Sequence, residues 1–162
     1  MMNHTKSYIA LATLFATSCL HAQSTPVPTQ LGTAKTVFIA NAGGPLNYLN
    51  EEAYIDFYQA LSAAKLFQIV ALPANAELTM ELSVTSHLSR TTLGTIPDAP
   101  FLQLAIRDVK TQSLLWSLTE PIGADTLATT SRKDIATAAS DLVTDFKTLR
   151  SGTITSPLSD KK

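Results

Sequence analysis

The sequence predicts an α/β (α+β) domain, a two-layer sandwich in which two helices cover one face of a mixed, mostly antiparallel sheet. Three patterns predict this class: a short apolar run rich in β-branched residues, strands with strict alternation, and two segments with helical periodicity. Their order along the chain is β-α-β-β-β-β-α, and amphipathic helices of this kind bury their apolar stripes against a sheet. We expect one domain over residues 36–152.

The first three elements are expected to form a parallel βαβ unit. Residues 36–40 (TVFIA) are typical of a strand that is buried on both faces. The helix that follows has one apolar stripe, at offsets 0, 3, 4 and 7, made of Tyr54, Phe57, Tyr58 and Leu61. Residues 66–72 (LFQIVAL) predict a second strand that ends before Pro73, and strands joined through a helix form a right-handed crossover.

The strongest strand pattern covers residues 77–89. Its apolar side chains fall on one face: Leu78, Met80, Leu82, Val84 and Leu88. Its polar side chains fall on the other: Glu81, Ser83, Thr85 and His87. One face of the sheet is therefore expected to be buried and the other to face water. Residues 101–109 and 113–120 predict two further strands, joined by a hairpin turn at residues 110–112.

The last element is predicted to be a helix that starts at Ser131. Asp134 lies three residues further on, close to the spacing of a capping box. Apolar residues then recur at helical offsets: Ile135, Ala138, Ala139, Leu142, Val143, Phe146 and Leu149. Lys147 and Arg150 in the last turn, with Gly152 just beyond it, are the stop signals of a helix.

The first 22 residues are predicted to be a signal peptide. Lys6 gives a positive start, and residues 8–20 form an uncharged run of apolar and small residues. That run is shorter than the roughly 20 residues that a permanent transmembrane helix needs. We therefore expect an exported protein, either periplasmic or secreted.

Two positions for the mature start stay open. One is cleavage after Ala22, and the other is a lipobox-like sequence that would make Cys19 a lipid-carrying first residue and anchor the chain to the membrane. Residues 23–35 are polar and contain proline, so they are expected to be a flexible linker. Residues 153–162 are expected to be a disordered tail for the same reason.

Composition argues against several classes of function. The chain has 12 Lys and Arg against 13 Asp and Glu, a balance that does not favour nucleic acid as a partner. Cys19 is the only cysteine, so the mature domain has no disulfide, no cysteine-based zinc site and no thiol nucleophile. Of the three histidines only His87 falls within the domain, and no catalytic or metal-binding motif surrounds it. No cofactor is expected.

Gly43 and Gly44 lie between a strand and a helix, where many proteins bind a phosphate. Glu51 and Glu52 near the start of the helix would repel such a group. The glycine and lysine spacings of nucleotide-binding motifs are absent from the sequence. We therefore interpret the glycines as a turn before a capped helix.

Three further groups of residues are candidates for a functional or core role. The candidate contact residues lie in two loops, at residues 43–47 and 90–100, and are Gly43, Gly44, Asn47, Arg90 and Asp98. Glu81 with Asp108 or Glu120 could supply the paired carboxylates of a glycoside hydrolase. Trp116 shares a predicted strand face with Leu114 and Leu118, so it is expected in the core.

Four segments carry a resemblance to small exported envelope domains of bacteria: TVFIA at 36–40, ANAELTMELSV at 74–84, LQLAIRDVKTQSLLWSLTEPI at 102–122 and DLVTDFKTL at 141–149. The most telling phrase is RDVKTQSLLW, a strand, a turn and a second strand. Together they resemble uncharacterised lipoproteins and the α/β domains related to the N-terminal part of TolB, to LpoB and to CsgG. The resemblance implies envelope assembly, partner binding or accessory work at the outer membrane.

The leading hypothesis is a non-catalytic exported domain that binds an envelope protein or another envelope component. One alternative is a periplasmic hydrolase that uses carboxylates on the sheet face. Another is a protein that binds a small ligand through the loop at residues 43–47.

Overall fold

The computed structural model describes residues 26–44, 46–86, 88–91, 94–97, 100–123 and 132–152. Within them a mixed sheet carries helices on one face, which confirms the predicted α/β sandwich. The predicted signal peptide with Cys19, the tail at 153–162, and the positions of His87 and Asp98 lie outside the described residues.

Three helices and seven strands are described. The helices are α1 Thr29–Thr33, α2 Asn47–Ala64 and α3 Arg132–Arg150. The strands are β1 Thr36–Gly43, β2 Gln68–Ile69, β3 Leu78–Thr85, β4 Leu88–Thr91, β5 Gly94–Pro97, β6 Phe101–Asp108 and β7 Leu114–Pro121. A single 3₁₀ turn, Pro73–Asn75, lies between β2 and β3.

The main sheet has the strand order β2-β1-β3-β6-β7. β1 runs parallel to both β2 and β3, and β2 follows β1 through α2, so the predicted βαβ unit is confirmed. β6 runs antiparallel to both of its neighbours, β3 and β7. The turn between β6 and β7 forms as predicted, with the backbone N–H of Thr111 donating to Asp108 Oδ1 at 2.8 Å.

The core lies between the sheet and the pair α2 and α3. Side chains of β3 and β6 alternate between buried and half-buried, as a sheet with one covered face requires. All seven apolar residues predicted for the face of α3 are buried. In α2 the predicted stripe is only half in the core: Phe57 and Leu61 are buried, Tyr54 is half-buried, and Tyr58 is 41% exposed.

The second predicted strand, over residues 66–72, is wrong in extent, because β2 has only two residues. Lys65 closes α2 in the left-handed region (φ 52°), and Leu66 and Phe67 pack against the core as a connection rather than a strand. The ladder with β1 ends where the Val70 N–H donates to the Val37 carbonyl at 2.9 Å. Pro73, which has no N–H to add to a ladder, then starts the 3₁₀ turn.

The long strand and the loop predicted over residues 77–100 also differ from the structure. β3 ends at Thr85, where its last pair is with Phe101, the first residue of β6. Residues 88–91 then pair with residues 94–97 as a separate hairpin, β4–β5, since β6 begins too late in the chain to offer them a partner. The segment expected to be an irregular loop therefore contains a small sheet of its own.

The flexible linker predicted for residues 23–35 does not extend to residue 35. α1 falls inside it, and Leu31 and Ala34 are buried in the core. The Arg150 guanidinium also donates to the Ala34 carbonyl at 3.0 Å. The reason is that two apolar side chains three positions apart, Leu31 on α1 and Ala34 at its C-cap, are enough to dock the segment.

Candidate functional site

The three carboxylates considered for a hydrolase do not come together. Glu81 is paired with Ala105 of β6, on the face of the sheet away from the helices. Glu120 is paired with Leu102 and Asp108 with Leu78, and both of those leucines are buried under the helices. Because paired residues share a face, Glu81 points to the opposite side from both possible partners. The carboxylate pairs predicted for a hydrolase, Glu81 with Asp108 or Glu120, are therefore not formed.

Glu81 instead forms an ion pair with Arg107 of the neighbouring strand. Arg107 Nε donates to Glu81 Oε2 at 2.9 Å, and each side chain is about one-third exposed. Arg107 also donates to the Gln112 carbonyl at 3.4 Å. The pair bridges β3 and β6 on the open face, where a partly solvated ion pair contributes about 1 kcal/mol or less.

A bulge separates Leu114 from Trp116. The register between β6 and β7 shifts between Ile106 and Arg107, so Trp116 pairs with Ile106 on the helix side while Leu114 pairs with Arg107. Trp116 is half-buried against the core, whereas Leu114 is 53% exposed. The prediction that the two share a face is wrong, because an extra residue in one strand reverses the alternation.

The glycine turn after β1 packs tightly on β3. Gly43 and Gly44 have φ values of 71° and 141°, and a Cβ on Gly44 would lie 2.6 Å from the Val84 carbonyl oxygen. Asn50, which is buried, accepts a hydrogen bond from the Val84 N–H at 2.6 Å. The turn therefore ties the start of α2 to the end of β3.

The interpretation of this turn needs two corrections. α2 begins at Asn47, so Glu51 and Glu52 lie in its second turn and its first turn carries no acidic residue. The helix also has no side-chain cap, because its N-cap residue is Leu46. Glu51 and Glu52 would therefore repel a phosphate at the helix start less than predicted. The close packing of Gly44 on Val84 indicates a structural role for the turn.

The candidate contact residues stay a prediction. Gly43 and Gly44 lie at the end of β1, and the N-terminus of α2 starts at Asn47. Arg90 lies in β4, which follows the end of β3. Since β1 and β3 are parallel, the glycine turn and the connection to the β4–β5 hairpin leave the sheet at the same end.

The side of the molecule next to β2 has a feature that the sequence does not predict. β2 stops after two residues while β1 continues to Gly43, which leaves a gap beside β1. We call this gap the edge notch, and it has a volume of about 300 Å³. It is lined by Phe38, Ile39, Tyr54, Tyr58, Ile69, Val70 and Ala71. None of these side chains is charged.

Exposed apolar side chains cluster on the same side. In the described part of the chain, the large exposed ones are Tyr48, Ile55, Tyr58, Leu72 and Leu114. The first three lie on α2 at spacings of seven and three, which puts them on one outward stripe. Tyr58 belongs to both the stripe and the notch, and Leu72 directly follows the notch residue Ala71. Helical periodicity placed Tyr58 in the core, so the sequence concealed this surface.

Two features are not found among the described residues, a metal site and a membrane-spanning helix. No group of three or more His, Cys, Asp or Glu side chains within the described residues is arranged to hold a metal ion. The described helices also include none that combines the length and apolarity needed to cross a membrane.

No protein-family model and no curated protein sequence matches the chain. Solved structures do match, among them the PelC dodecamer from Paraburkholderia phytofirmans, with 14% identity over 75% of this chain and 91% of that one (TM-score 0.48). Lipoprotein GNA1162 from Neisseria meningitidis has 11% identity over 70% and 98% (TM-score 0.44). TolB from Acinetobacter baumannii has 17% identity over 71% of this chain and 28% of TolB (TM-score 0.41).

These matches include TolB and lipoproteins, and so confirm the resemblance to envelope domains that the sequence carries. All three alignments have identities of 17% or less and TM-scores below 0.5.

Proposed function

We propose that this protein is a non-catalytic, exported binding domain of the cell envelope, and that its partner is a protein bound on the side of α2 and the edge notch. The observation that carries the proposal is the clustering of exposed apolar residues. Four of the five large ones in the described residues, all except Leu114, lie on α2 or directly after the notch. Clustered exposed apolar residues mark interaction surfaces, whereas scattered ones are ordinary.

The chemistry of the cluster favours a protein partner. Tyr48 and Tyr58 each offer a large rigid ring with a hydroxyl, the type of side chain that dominates binding energy in protein interfaces. Ile55 and Leu72 add aliphatic area, and fully burying such a side chain is worth about 1.5–3 kcal/mol. The notch between them is uncharged, so its complement is an apolar or neutral surface.

Export and an envelope location rest on the sequence. The predicted signal peptide over residues 1–22 directs the chain out of the cytoplasm, and the absence of cysteine after Cys19 is compatible with folding there without disulfides. A lipid on Cys19 would place the domain at a membrane surface, and cleavage after Ala22 would release it.

The test is photo-crosslinking in the cells that naturally make the protein. A photo-reactive amino acid replaces Tyr58 in the notch, and a matched variant carries it at Thr137, which is exposed on α3. We expect one discrete protein adduct from position 58 and none from position 137. Identical patterns from the two positions, or no adduct from either, would remove the proposal. Mass spectra of the same samples show whether the mature chain starts at Cys19 or at Gln23.

A further inference from the structure

We propose that the partner binds by adding a β-strand to the open edge of β1 within the edge notch. This inference rests on the proposed function and names the form in which the partner is bound. A peptide that adds a strand gains its affinity from main-chain hydrogen bonds and its specificity from pockets for alternate side chains.

The backbone of β1 offers unused hydrogen-bonding groups along this edge. In a strand inside a sheet, successive residues direct their N–H and C=O groups alternately to the two neighbours. The Lys35 and Val37 carbonyls accept from Gln68 and Val70, so odd-numbered residues of β1 face the β2 side. Ile39 therefore presents its N–H and C=O groups to the notch, and Asn41 presents its own groups further along the same edge of β1.

Little satisfies these groups in the described part of the chain. The register of β1 with β2 covers only Thr36 and Val37. The Ile39 carbonyl accepts one long hydrogen bond, from the Tyr54 hydroxyl at 3.4 Å. The Asn41 side chain is occupied within its own turn, where Oδ1 accepts from the Gly43 N–H at 3.0 Å. The main-chain groups of Ile39 and Asn41 on this edge are thus available to pair with another strand, because β2 ends before it reaches them.

The two edges of the sheet are protected to different degrees. Natural sheets blunt open edges with charged side chains, prolines, bulges or a covering element. β7, at the far edge, has a bulge opposite Ile106 and Arg107, and it ends in Glu120 and Pro121. β1 carries no charge and no proline, and its only irregularity comes at its end, between Asn41 and Gly43. An unprotected edge beside an aromatic pocket indicates a site at which a strand of the partner pairs with β1.

The lining of the notch defines the chemistry of the bound strand. Phe38 flanks the notch on the open face of the sheet, while Tyr54 and Tyr58 flank it on the helix face. Since side chains of a strand alternate between the two faces, both sets of side chains on the bound segment would meet uncharged, largely apolar groups. We therefore expect an extended segment of a different protein, rich in apolar or small residues and free of charge opposite residues 38–41.

A pair of substitutions at one position tests this mode of binding. Asn41→Pro removes the edge N–H, and Asn41→Ala keeps it, while both lose the side-chain bond to Gly43. The probe is a photo-reactive amino acid at Leu72, which is 60% exposed beside the notch, in cells that naturally make the protein. We expect the Ala variant to keep the partner adduct and the Pro variant to lose about tenfold or more of it. Thermal unfolding of both purified variants shows that they are folded.

The other outcomes separate this inference from the proposed function. An adduct that survives in both variants, or disappears in both, overturns strand addition and leaves a protein partner in place. An adduct with a second copy, or with another segment of the same chain, overturns it as well. If the parent protein gives no adduct from position 72 or position 58, the proposed function fails too.

A second measurement covers the case in which Asn41→Pro does not fold. A synthetic peptide with the sequence of the crosslinked partner segment is added to the unmodified protein, and amide hydrogen exchange is followed by NMR. We expect the amides of Ile39 and Asn41 to be slowed, since both would donate to the added strand. Unchanged exchange at both amides with bound peptide would overturn the inference.

Discussion

Glu77 shows how one exposed side chain can join two strands. Its carboxylate Oε2 accepts hydrogen bonds from the backbone N–H groups of Lys35 and Thr36, at 2.5 and 3.2 Å. In return the Glu77 N–H donates to Thr36 Oγ1 at 3.0 Å. The backbone hydrogen bond from Lys35, followed by the one from Thr36, holds the pKa of the Glu77 carboxyl below its ordinary value of 4.5. Through these hydrogen bonds the ionised form links the start of β1 to the start of β3.

The hydrogen bonds to the Glu77 carboxylate predict that the free energy of unfolding depends on pH. Because the pKa of Glu77 is lower in the folded protein, its stabilisation is present above pH 4.5 and is lost as the pH falls through the folded pKa. We expect Glu77→Gln to be less stable than the parent protein at about pH 6, and the difference to be smaller at about pH 3. Urea denaturation at both pH values measures it, with Glu51→Gln in α2 as the control. A difference that is the same at both pH values would contradict this account.

Contacts of this kind were outside the reach of the sequence. Glu77 appeared only as the first residue of a strand pattern, and no sequence pattern pointed to Asn50. Their partners, Lys35 and Val84, lie more than thirty positions away along the chain. The donors that reach a carboxylate or an amide oxygen are set by tertiary packing, which local periodicity does not contain.

At the scale of elements, the junction of β1 with α2 depends on Gly44. Its φ of 141° and the 2.6 Å separation of an added Cβ from the Val84 oxygen both exclude a side chain. We expect Gly44→Ala to lower the free energy of unfolding by about 3 kcal/mol or more, from backbone strain and overlap together. Gly43→Ala is the matched control: its φ is also positive but nothing lies within 4 Å of the added Cβ, so we expect a loss of about 1 kcal/mol.

Chemical denaturation of the two alanine variants beside the parent protein decides between strain and overlap. Equal losses would mean that positive φ alone accounts for both glycines. A larger loss at position 44 would locate the difference in the contact with β3, and exchange of the Val84 amide would then increase as well.

The strength of periodicity decided which elements the sequence could predict. β3 and α3 each bury one face of a regular pattern over several turns or pairs, so both were placed within a few residues. Residues 66–72 form an apolar run without alternation, and such a run fits a strand or a buried connection equally well. The bulge beside Leu114 was also hidden, because the apolar residues around it give no sign of which one is extra. The edge notch exists because β2 is short. A strand over residues 66–72, as predicted, would have covered this part of β1, so the sequence did not predict the notch.

On the scale of the whole molecule, Arg150 joins three distant parts of the chain. Its guanidinium donates to the Leu66 carbonyl at 2.6 Å and to the Ala34 carbonyl at 3.0 Å. It also lies over the Phe67 ring, 4.5 Å from the centroid. The end of α3 is thereby fixed to the connection after α2 and to the segment before β1. The sequence identified Arg150 only as a stop signal in the last turn.

The removal of this link should be measurable. We expect Arg150→Ala to lower the free energy of unfolding by about 2–3 kcal/mol, because two charge-assisted hydrogen bonds and a ring contact are lost. Arg150→Lys should recover little, since one ammonium cannot reproduce the planar fork. Lys147→Ala, in the same turn but exposed, should change stability by about 0.5 kcal/mol or less. Thermal unfolding of the three variants tests this, and equal effects at positions 147 and 150 would refute the link.

The docking of α1 into the core sets how far the domain could move from a membrane. Because Leu31 is buried, any tether to a membrane would have to end near Thr29. If Cys19 carries a lipid, the intervening ten or so residues reach at most about 35 Å when fully extended. A domain on a tether of that length would stay within about its own diameter of the bilayer. Only partners that present a strand at that height could then reach the β1 edge.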